Sequence, residues 1–408
     1  MQDTELYQQI LGLKAPWRVG RIELKVKEER VDLWIEYGEG SKFPCPECGQ
    51  ASPIRDHRDR VWRHLDSCQF ATYVHCEVPR VECGAHGVRQ VTVPWSEPGS
   101  QFTALLERLA IDLRRECSVQ GAARILGISW DEAFGIQKRA VARGLAQKKT
   151  QPLRQLGIDE TAARRGHHYL TVVADLERKQ VEFVTEDRKL ESIDRFYQTR
   201  PPESWEQVEA IAMDMWEPYY TSTLTHVPGA AEKIVFDRFH VMQHLGEAVD
   251  RVRRQEHGQF LKGEGESPLS KTKYLWLFSR ENIPDERFED FHSLLRKKLK
   301  VARAWMLKEM LREMWKYRYA ANARRFFEEW YASAIHGRLG PIKKVARMLR
   351  AHLKNIVTYA KHRITNAVTE GINAKIQAIK KTACGFRNME HFKIAIYFHC
   401  GGLDLYAH

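Results

Sequence analysis

Ile211-Ala212-Met213-Asp214-Met215-Trp216 sets an aspartate directly behind an apolar run. The run reads as a strand, and a strand end is where a sheet presents functional groups to a ligand. Leu156-Gly157-Ile158-Asp159 has the same form earlier in the chain. Outward from these two runs, residues 156–159, 169–174, 181–185, 208–213 and 234–236 read as five strands, with a helix at 190–197 and another near 218–224. Three strands in succession followed by alternating helix and strand predict a mixed sheet in an α/β domain. Residues 241–362 are helical in period almost throughout, broken at 263–268, at Ile283-Pro284 and at 337–341.

A third acid lies in Thr365-Asn366-Ala367-Val368-Thr369-Glu370-Gly371-Ile372-Asn373, where a strongly patterned helix starts. Ile372, Ile376 and Ile379 share one face of it, and Glu370, Asn373, Gln377 and Lys381 share the opposite one. The apolar face is expected to pack on the sheet, so that Glu370 points wherever the polar face looks. Carboxylates converging from strand and helix ends suit two magnesium ions, because hard cations take oxygen ligands and keep positions open for phosphate.

The first forty residues alternate apolar and polar at period two, with Ile22, Leu24 and Val26 followed by Val31, Leu33 and Ile35 beyond a charged turn, which predicts a hairpin. Cys45-Pro46-Glu47-Cys48 follows, then a strand-like stretch at 72–81, then Cys83-Gly84-Ala85-His86. Two short knuckles of this kind can hold one tetrahedral zinc, because the tight turn brings both donors of a pair to one side. Cys45, Cys48 and Cys83 are the firmer ligands. The fourth position is open between His86 and His57, His64, Cys68 or Cys76.

After Pro98-Gly99 the pattern turns helical at 102–116, and Ser118 opens a second helix at 119–126 that Gly127 ends. Ser129 followed by Glu132 reads as a capping box for a third helix to about residue 143, with Ala133, Ile136 and Ala140 inward. Two short helices joined at a glycine turn predict a helix-turn-helix whose residues 130–138, among them Trp130, Gln137 and Lys138, could reach base edges. A polar, proline-containing linker at 147–155 follows.

Composition narrows the partner. The chain has 408 residues, 43% of them hydrophobic, and carries 65 Lys and Arg against 53 Asp and Glu, a net charge of +12. Residues 296–363 alone hold 19 Lys and Arg, four Glu and no Asp, a balance of +15. Trp305, Trp315, Tyr317, Tyr319, Trp330 and Tyr331 are interleaved with that charge. Phosphate neutralisation needs clustered cations, so Arg296, Lys297, Lys298, Arg324, Arg325, Lys343 and Lys344, together with Lys380, Lys381 and Arg387 after the Glu370 helix, are expected to face double-stranded DNA. No window holds the eighteen or so apolar residues of a membrane span, and the start of the chain lacks a signal-peptide pattern. Eight cysteines are too few for a secreted disulfide scaffold, and a soluble cytoplasmic protein is expected.

The order of zinc knuckle, helix-turn-helix and Asp, Asp, Glu core resembles bacterial insertion-sequence transposases of the ISL-three family over nearly the whole chain. Gly157-Ile158-Asp159-Glu160, the run from Ile211 to Trp216, Asp237-Arg238-Phe239-His240-Val241, and the run from Thr365 through Glu370 to Gly385-Phe386-Arg387-Asn388 carry the resemblance. It implies a ribonuclease H-like catalytic domain with Asp159, Asp214 and Glu370 as its triad, interrupted by a helical insertion. It also marks Asp237 and His240 as an Asp-x-x-His pattern near the site. His86 stands where the family commonly has a second Cys of the knuckle.

The expected architecture is therefore an α+β multidomain chain: hairpin and zinc-binding module 1–98, helix-turn-helix and linker 99–150, catalytic core 151–240 and 363–408, and basic all-helical insertion 241–362. The expected activity is metal-dependent phosphodiester hydrolysis at transposon terminal inverted repeats and strand transfer into target DNA. It would use two Mg2+ or Mn2+ per site, beside one structural Zn2+, and would act as a homodimer or higher oligomer on DNA, with no membrane and no small-molecule substrate. Asp159 would bridge both ions, with Asp214 and Glu370 holding one each, as the general two-metal scheme has it. Two other readings stand beside it: a structure-selective nuclease on the same fold, which would cut but not join strands, and a non-enzymatic DNA-binding regulator, which would leave the rest of the chain without a task.

Overall fold

The computed structural model describes residues 3–164, 166, 168–263 and 265–407. They form two compact units, one of residues 1–148 with 403–408 and the other of 149–402. Residues 403–407 thus belong with the N-terminal unit rather than with residues 363–402. No helix among the described residues is long and apolar enough to cross a membrane.

In the first unit, helix α1 (Asp3–Ile10) precedes strands β1 (Trp17–Lys25), β2 (Arg30–Tyr37), β3 (Phe43–Pro44), β4 (Ala51–Ser52), β5 (Ile54–Arg63), β6 (Ala71–Cys83) and β7 (Gly87–Gln90). The expected hairpin is β1–β2, paired from Trp17↔Tyr37 to Lys25↔Arg30. The larger sheet runs β1-β2-β6-β5, with β7 on β6, while β3 and β4 pair separately. Its inward residues, among them Val31, Leu33, Val74 and Val78, close a core over Trp17, Trp62 and Trp95.

Three helices follow, α2 (Ala104–Glu116), α3 (Val119–Leu126) and α4 (Trp130–Gln147). Gly127 ends α3 in the left-handed region at φ 63, which a β-carbon would disfavour. The Ser129–Glu132 capping box forms in both directions and starts α4. The tail at 403–407 returns to this bundle: Leu405 is buried, its carbonyl accepts from Arg143, and the Tyr406 hydroxyl bonds Asp112 and Arg115.

In the second unit a sheet of β8 (Gln155–Arg164), β9 (His168–Asp175), β10 (Gln180–Glu186), β11 (Ala210–Met213) and β12 (Ile234–Phe236) has the order β10-β9-β8-β11-β12. The first three strands are antiparallel, and β11 runs parallel to both β8 and β12. Every residue of β11 is buried, because helices cover both faces. Ile158, Met213 and Phe236 share one core with α5 (Leu190–Tyr197), α6 (Glu217–His226) and α7 (Arg238–Gly263). That core extends into α8 (Lys273–Leu277), α9 (Phe288–Arg296), α10 (Lys300–Arg312), α11 (Ala320–His336), α12 (Gly340–Ala351) and α13 (Leu353–Val357), with α14 (Tyr359–His362) closing the helical stretch.

The opposite face takes α15 (Ala367–Thr382) and α16 (Met389–Cys400), whose Ile372, Ile376, Phe392 and Ile396 pack on Leu170, Val172, Ala174 and Val181. The apolar face of the Glu370 helix does pack on the sheet. Its start comes so near β8 that a β-carbon on Gly157 would lie 2.1 Å from Thr369 Oγ1 and 2.7 Å from Leu176 Cδ2. Gly157→Ala is therefore expected to push α15 off the sheet and to cost about 1–3 kcal/mol of stability. Thermal unfolding checks this, and an unchanged melting temperature would show that the contact can relax freely.

Candidate active site

The register of the sheet brings three aspartates to one level. Ile158 pairs with Met213 and Met213 with Phe236, so Asp159, Asp214 and Asp237 each stand one position beyond on adjacent strands, some 5 Å apart in the pairing direction. Successive strand residues point to opposite faces, so these acids share the face of Gly157, Ala212 and Val235, which α15 covers. The Asp159 and Asp214 carboxylates each accept the next backbone N–H, from Glu160 at 2.8 Å and Met215 at 2.6 Å.

Helix α15 lies along β8 through one stripe. Asn366, Asn373 and Gln377 project from it, and all three donate to β8: Asn366 Nδ2 to the Ile158 carbonyl at 3.3 Å, Asn373 Nδ2 to Asp159 Oδ2 at 2.9 Å and the Glu160 carbonyl at 3.2 Å, and Gln377 Nε2 to Thr161 Oγ1 at 2.7 Å. Glu370 sits between Asn366 and Asn373 on that stripe, in the first turn, and is itself exposed. The polar face of the helix is thus a docking face along the strand. Asn366 and Asn373 had no assigned role from sequence, although their seven-residue spacing is the helical signal for a shared stripe.

Burial, with the charges of Asp214 and Glu160 nearby, pushes the Asp159 carboxyl up to about 6, against the opposing pull of the Glu160 N–H and His240. His240 Nδ1 lies 3.7 Å from Asp214 Oδ2. Asp237 is buried, accepts at Oδ1 from the Asn366 N–H at 3.5 Å, and has no hydrogen-bond partner at Oδ2 among the described residues. Burial raises its pKa as well. All-oxygen donors, mutual repulsion and an orphaned oxygen are the features a divalent cation would satisfy. The ligand atoms of Asp159, Asp214 and Glu370 are not drawn within 4.8 Å of one another, a grouping that among the described residues Cys45, Cys48, Cys83 and His86 achieve.

That second cluster is built from two hairpin turns. Cys45 and Cys48 lie between β3 and β4, Cys83 is the last residue of β6, and His86 lies in the turn between β6 and β7. Donors bound tetrahedrally to one zinc lie about 3.6–3.8 Å apart. The separations here are 3.6 Å for Cys83 Sγ to His86 Nδ1, 3.7 Å for Cys48 Sγ to Cys83 Sγ and 3.8 Å for Cys45 Sγ to His86 Nδ1. The rival fourth ligands stand elsewhere: His64 is buried against Thr103 Oγ1 at 2.8 Å, Cys76 packs in the sheet core, His57 faces Glu77, and Cys68 is exposed outside the cluster.

The family model of the ISL3 transposase domain, described as "Transposase", matches residues 156–396, more than half of the chain. The chain belongs to the ISL3 transposase family. A zinc-finger model of transposases IS204/IS1001/IS1096/IS1165 matches residues 41–86 of the transposase, and a helix-turn-helix model of family ISL3 matches residues 91–141. The transposase for insertion sequence element IS1001 of Bordetella parapertussis is 28% identical, over 86% of this chain and 87% of that one. The transposase for insertion sequence element IS1557 of Mycobacterium tuberculosis is 23% identical, over 95% and 93%.

The cations expected to meet DNA are distributed unevenly over the transposase. Arg296, Lys297, Lys298, Arg324, Arg325, Lys344, Lys381 and Arg387 are exposed, and Lys343 and Lys380 half-buried, Lys380 donating to the Ala162 carbonyl at 2.7 Å. Lys308 is withdrawn altogether: its ammonium is buried and donates to the Leu277 and Phe278 carbonyls at 3.1 and 2.7 Å. The interleaved aromatics are a correction to the sequence reading. Trp305 and Trp330 lie in the core, Trp315, Tyr317 and Tyr331 pack against it, and Tyr319 alone of the six is largely exposed, at 72%. Their spacing serves helix packing.

In the helix-turn-helix, Trp130 is exposed and stacks on Phe134 at 5.1 Å, and Lys138 is exposed. Gln137 is a second correction: it is 1% exposed, and its Oε1 accepts from Arg114 Nε and Nη2 at 3.1 and 3.0 Å. It cannot face a base from there. Gln137→Ala should leave a buried guanidinium short of its acceptor and destabilise the bundle by about 1–3 kcal/mol. Lys138→Ala should leave the melting temperature unchanged and weaken DNA binding. A stable Gln137→Ala protein with reduced sequence discrimination would reverse the correction.

Proposed function

We propose that this transposase cleaves phosphodiester bonds at the terminal inverted repeats of its own element and joins the freed 3′ hydroxyl to target DNA, on a ribonuclease H-like core. The observation that carries the reading is the alignment of Asp159 and Asp214 on adjacent parallel strands, with the Glu370 helix tied to Asp159 through Asn373. Three antiparallel strands followed by two parallel ones, with helices on both faces, support the fold assignment. The core is residues 151–240 and 363–402, with 241–362 as its basic insertion.

Asp159, Asp214 and Glu370 would hold two Mg2+ or Mn2+. When bound, such ions supply Lewis-acid charge to the phosphate and to both the attacking and the leaving oxygen. The protein's own part is positioning. Asn373 fixes the rotamer of Asp159, the N–H groups of Glu160 and Met215 fix one oxygen of each aspartate, and His240 adds positive charge beside Asp214 when protonated. The exposed lysines and arginines hold the duplex by its phosphates, and the helix-turn-helix, through Trp130 and Lys138, selects the terminal sequence. The active form on DNA would be a homodimer or larger, in the cytoplasm.

Glu370→Gln keeps size and hydrogen bonding and removes the charge that holds the metal. Folding and end binding should persist, while cleavage and strand transfer fall by orders of magnitude, as for Asp159→Asn and Asp214→Asn. A Glu370→Gln protein that cleaves near the wild-type rate would refute the triad, and cleavage without joining by the unaltered protein would make it a nuclease.

Cys45, Cys48, Cys83 and His86 would hold one structural zinc. The site ties two hairpins together, so its metal should contribute folding energy directly. Metal analysis should find stoichiometric zinc, and Cys45→Ser should lose it along with the cooperative melting of the N-terminal module. A zinc-free protein that melts as the loaded one does would exclude this role.

A further inference from the structure

Arg188 is gripped by the residues that follow the two strand-end aspartates. Its guanidinium carbon lies 4.6 Å from the centre of the Trp216 ring and 4.8 Å from that of Tyr169. Its Nη1 is 3.3 Å from Glu160 Oε2, and its backbone carbonyl accepts from Trp216 Nε1 at 3.0 Å. Glu160 directly follows Asp159, and Trp216 stands two positions after Asp214. The approach to Arg188 is fixed too: the Asp187 N–H donates to the Tyr169 carbonyl at 3.1 Å, and the Asp187 carbonyl accepts from Thr171 Oγ1 at 2.6 Å.

A cation held this firmly normally serves either a buried counter-ion or a ligand. Glu160 is a poor explanation for it, since one contact of 3.3 Å engages one of the five N–H donors of a guanidinium. The side chain is also 41% exposed, although two rings constrain it. The two rings confine the group without taking up its N–H donors as carboxylates would, which suits capture of a phosphate. Glu160 points to the sheet face opposite Asp159, so Arg188 stands across the strand end from the carboxylate row.

We propose that Arg188 is a phosphate-binding site for the DNA strand entering the active site, taking a phosphodiester that flanks the scissile one. Tyr169 and Trp216 confine the guanidinium, and Glu160 holds one of its N–H donors. The site rests on the reading of Asp159 and Asp214 as the acids that act on the scissile phosphate. It adds a fixed reference point that sets which phosphate reaches them.

The test is binding without added Mg2+ or Mn2+, so that cleavage plays no part in the readout and the structural zinc stays in place. Duplexes bearing the element's own terminal sequence and flanking donor DNA carry one neutral methylphosphonate at successive positions around the cut. In the unaltered protein, neutralising one flanking position should weaken binding by about tenfold. In Arg188→Ala the loss at that position should vanish while losses elsewhere persist, and Arg188→Lys should restore it only in part. Arg188→Ala/Glu160→Gln, which leaves no unpaired carboxylate, serves should the single variant fold poorly. Equal profiles for the unaltered protein and the folded Arg188 variants would overturn the site and make Arg188 a structural cation. Because the profile is read without catalysis, its failure leaves the triad standing, and an active Glu370→Gln protein leaves the profile interpretable.

Discussion

The contact on which the catalytic unit depends is the one between Gly157 and the start of α15. A helix axis ordinarily stands about 10 Å from the sheet it covers, held off by side chains on both partners. Here β8 has only a hydrogen at the crossing, and Thr369 and Asn366 occupy the space a β-carbon would take. Asn366 and Asn373 can then reach the carbonyls of Ile158 and Glu160 directly. Everything the site asks of distant parts of the chain passes through this approach, since no strand pairing connects residue 370 to Asp159 or Asp214.

The same closeness concentrates charge. Carboxylates on adjacent strand ends repel one another, and burial adds the larger cost of lost hydration. The rise of Asp159 to about 6 is the response to that burial and crowding. The fold keeps the acids together regardless, because each follows an apolar strand whose place in the sheet is set by the cores on its two faces. Neighbouring groups moderate the repulsion: Asn373 at Asp159, His240 at Asp214 and Arg188 at Glu160.

Much of this was legible in the sequence, for reasons that differ by element. The hairpin β1–β2, the capping box at Ser129 and the strand that ends at Asp214 depend on local pattern, and local pattern predicts them. Where the polar face of α15 looks was left open, because sequence cannot distinguish a stripe that meets water from one that meets a strand's carbonyls. Gln137 was misplaced for a similar reason. It neighbours Ile136 on the inner side of α4, and only the position of Arg114 on another helix shows that an amide is wanted there. The aromatics at 305–331 looked like a nucleic-acid surface because they alternate with cations, yet long helices packed on several sides need large residues at those intervals. Arg188 had no sequence signal at all, since its partners lie in three separate segments.

The tail at 403–407 gives the chain an unusual topology. The peptide backbone passes from the first unit to the second near residue 148 and passes back at residue 402, so the first unit is discontinuous in sequence. Its helices receive Leu405 and Tyr406 only from a segment made after the whole of residues 149–402. During synthesis, the helix-turn-helix bundle therefore waits for the second unit before its own packing is finished. A chain broken anywhere in between lacks part of both units, and a single nick in the linker still leaves the two halves joined through the second crossing.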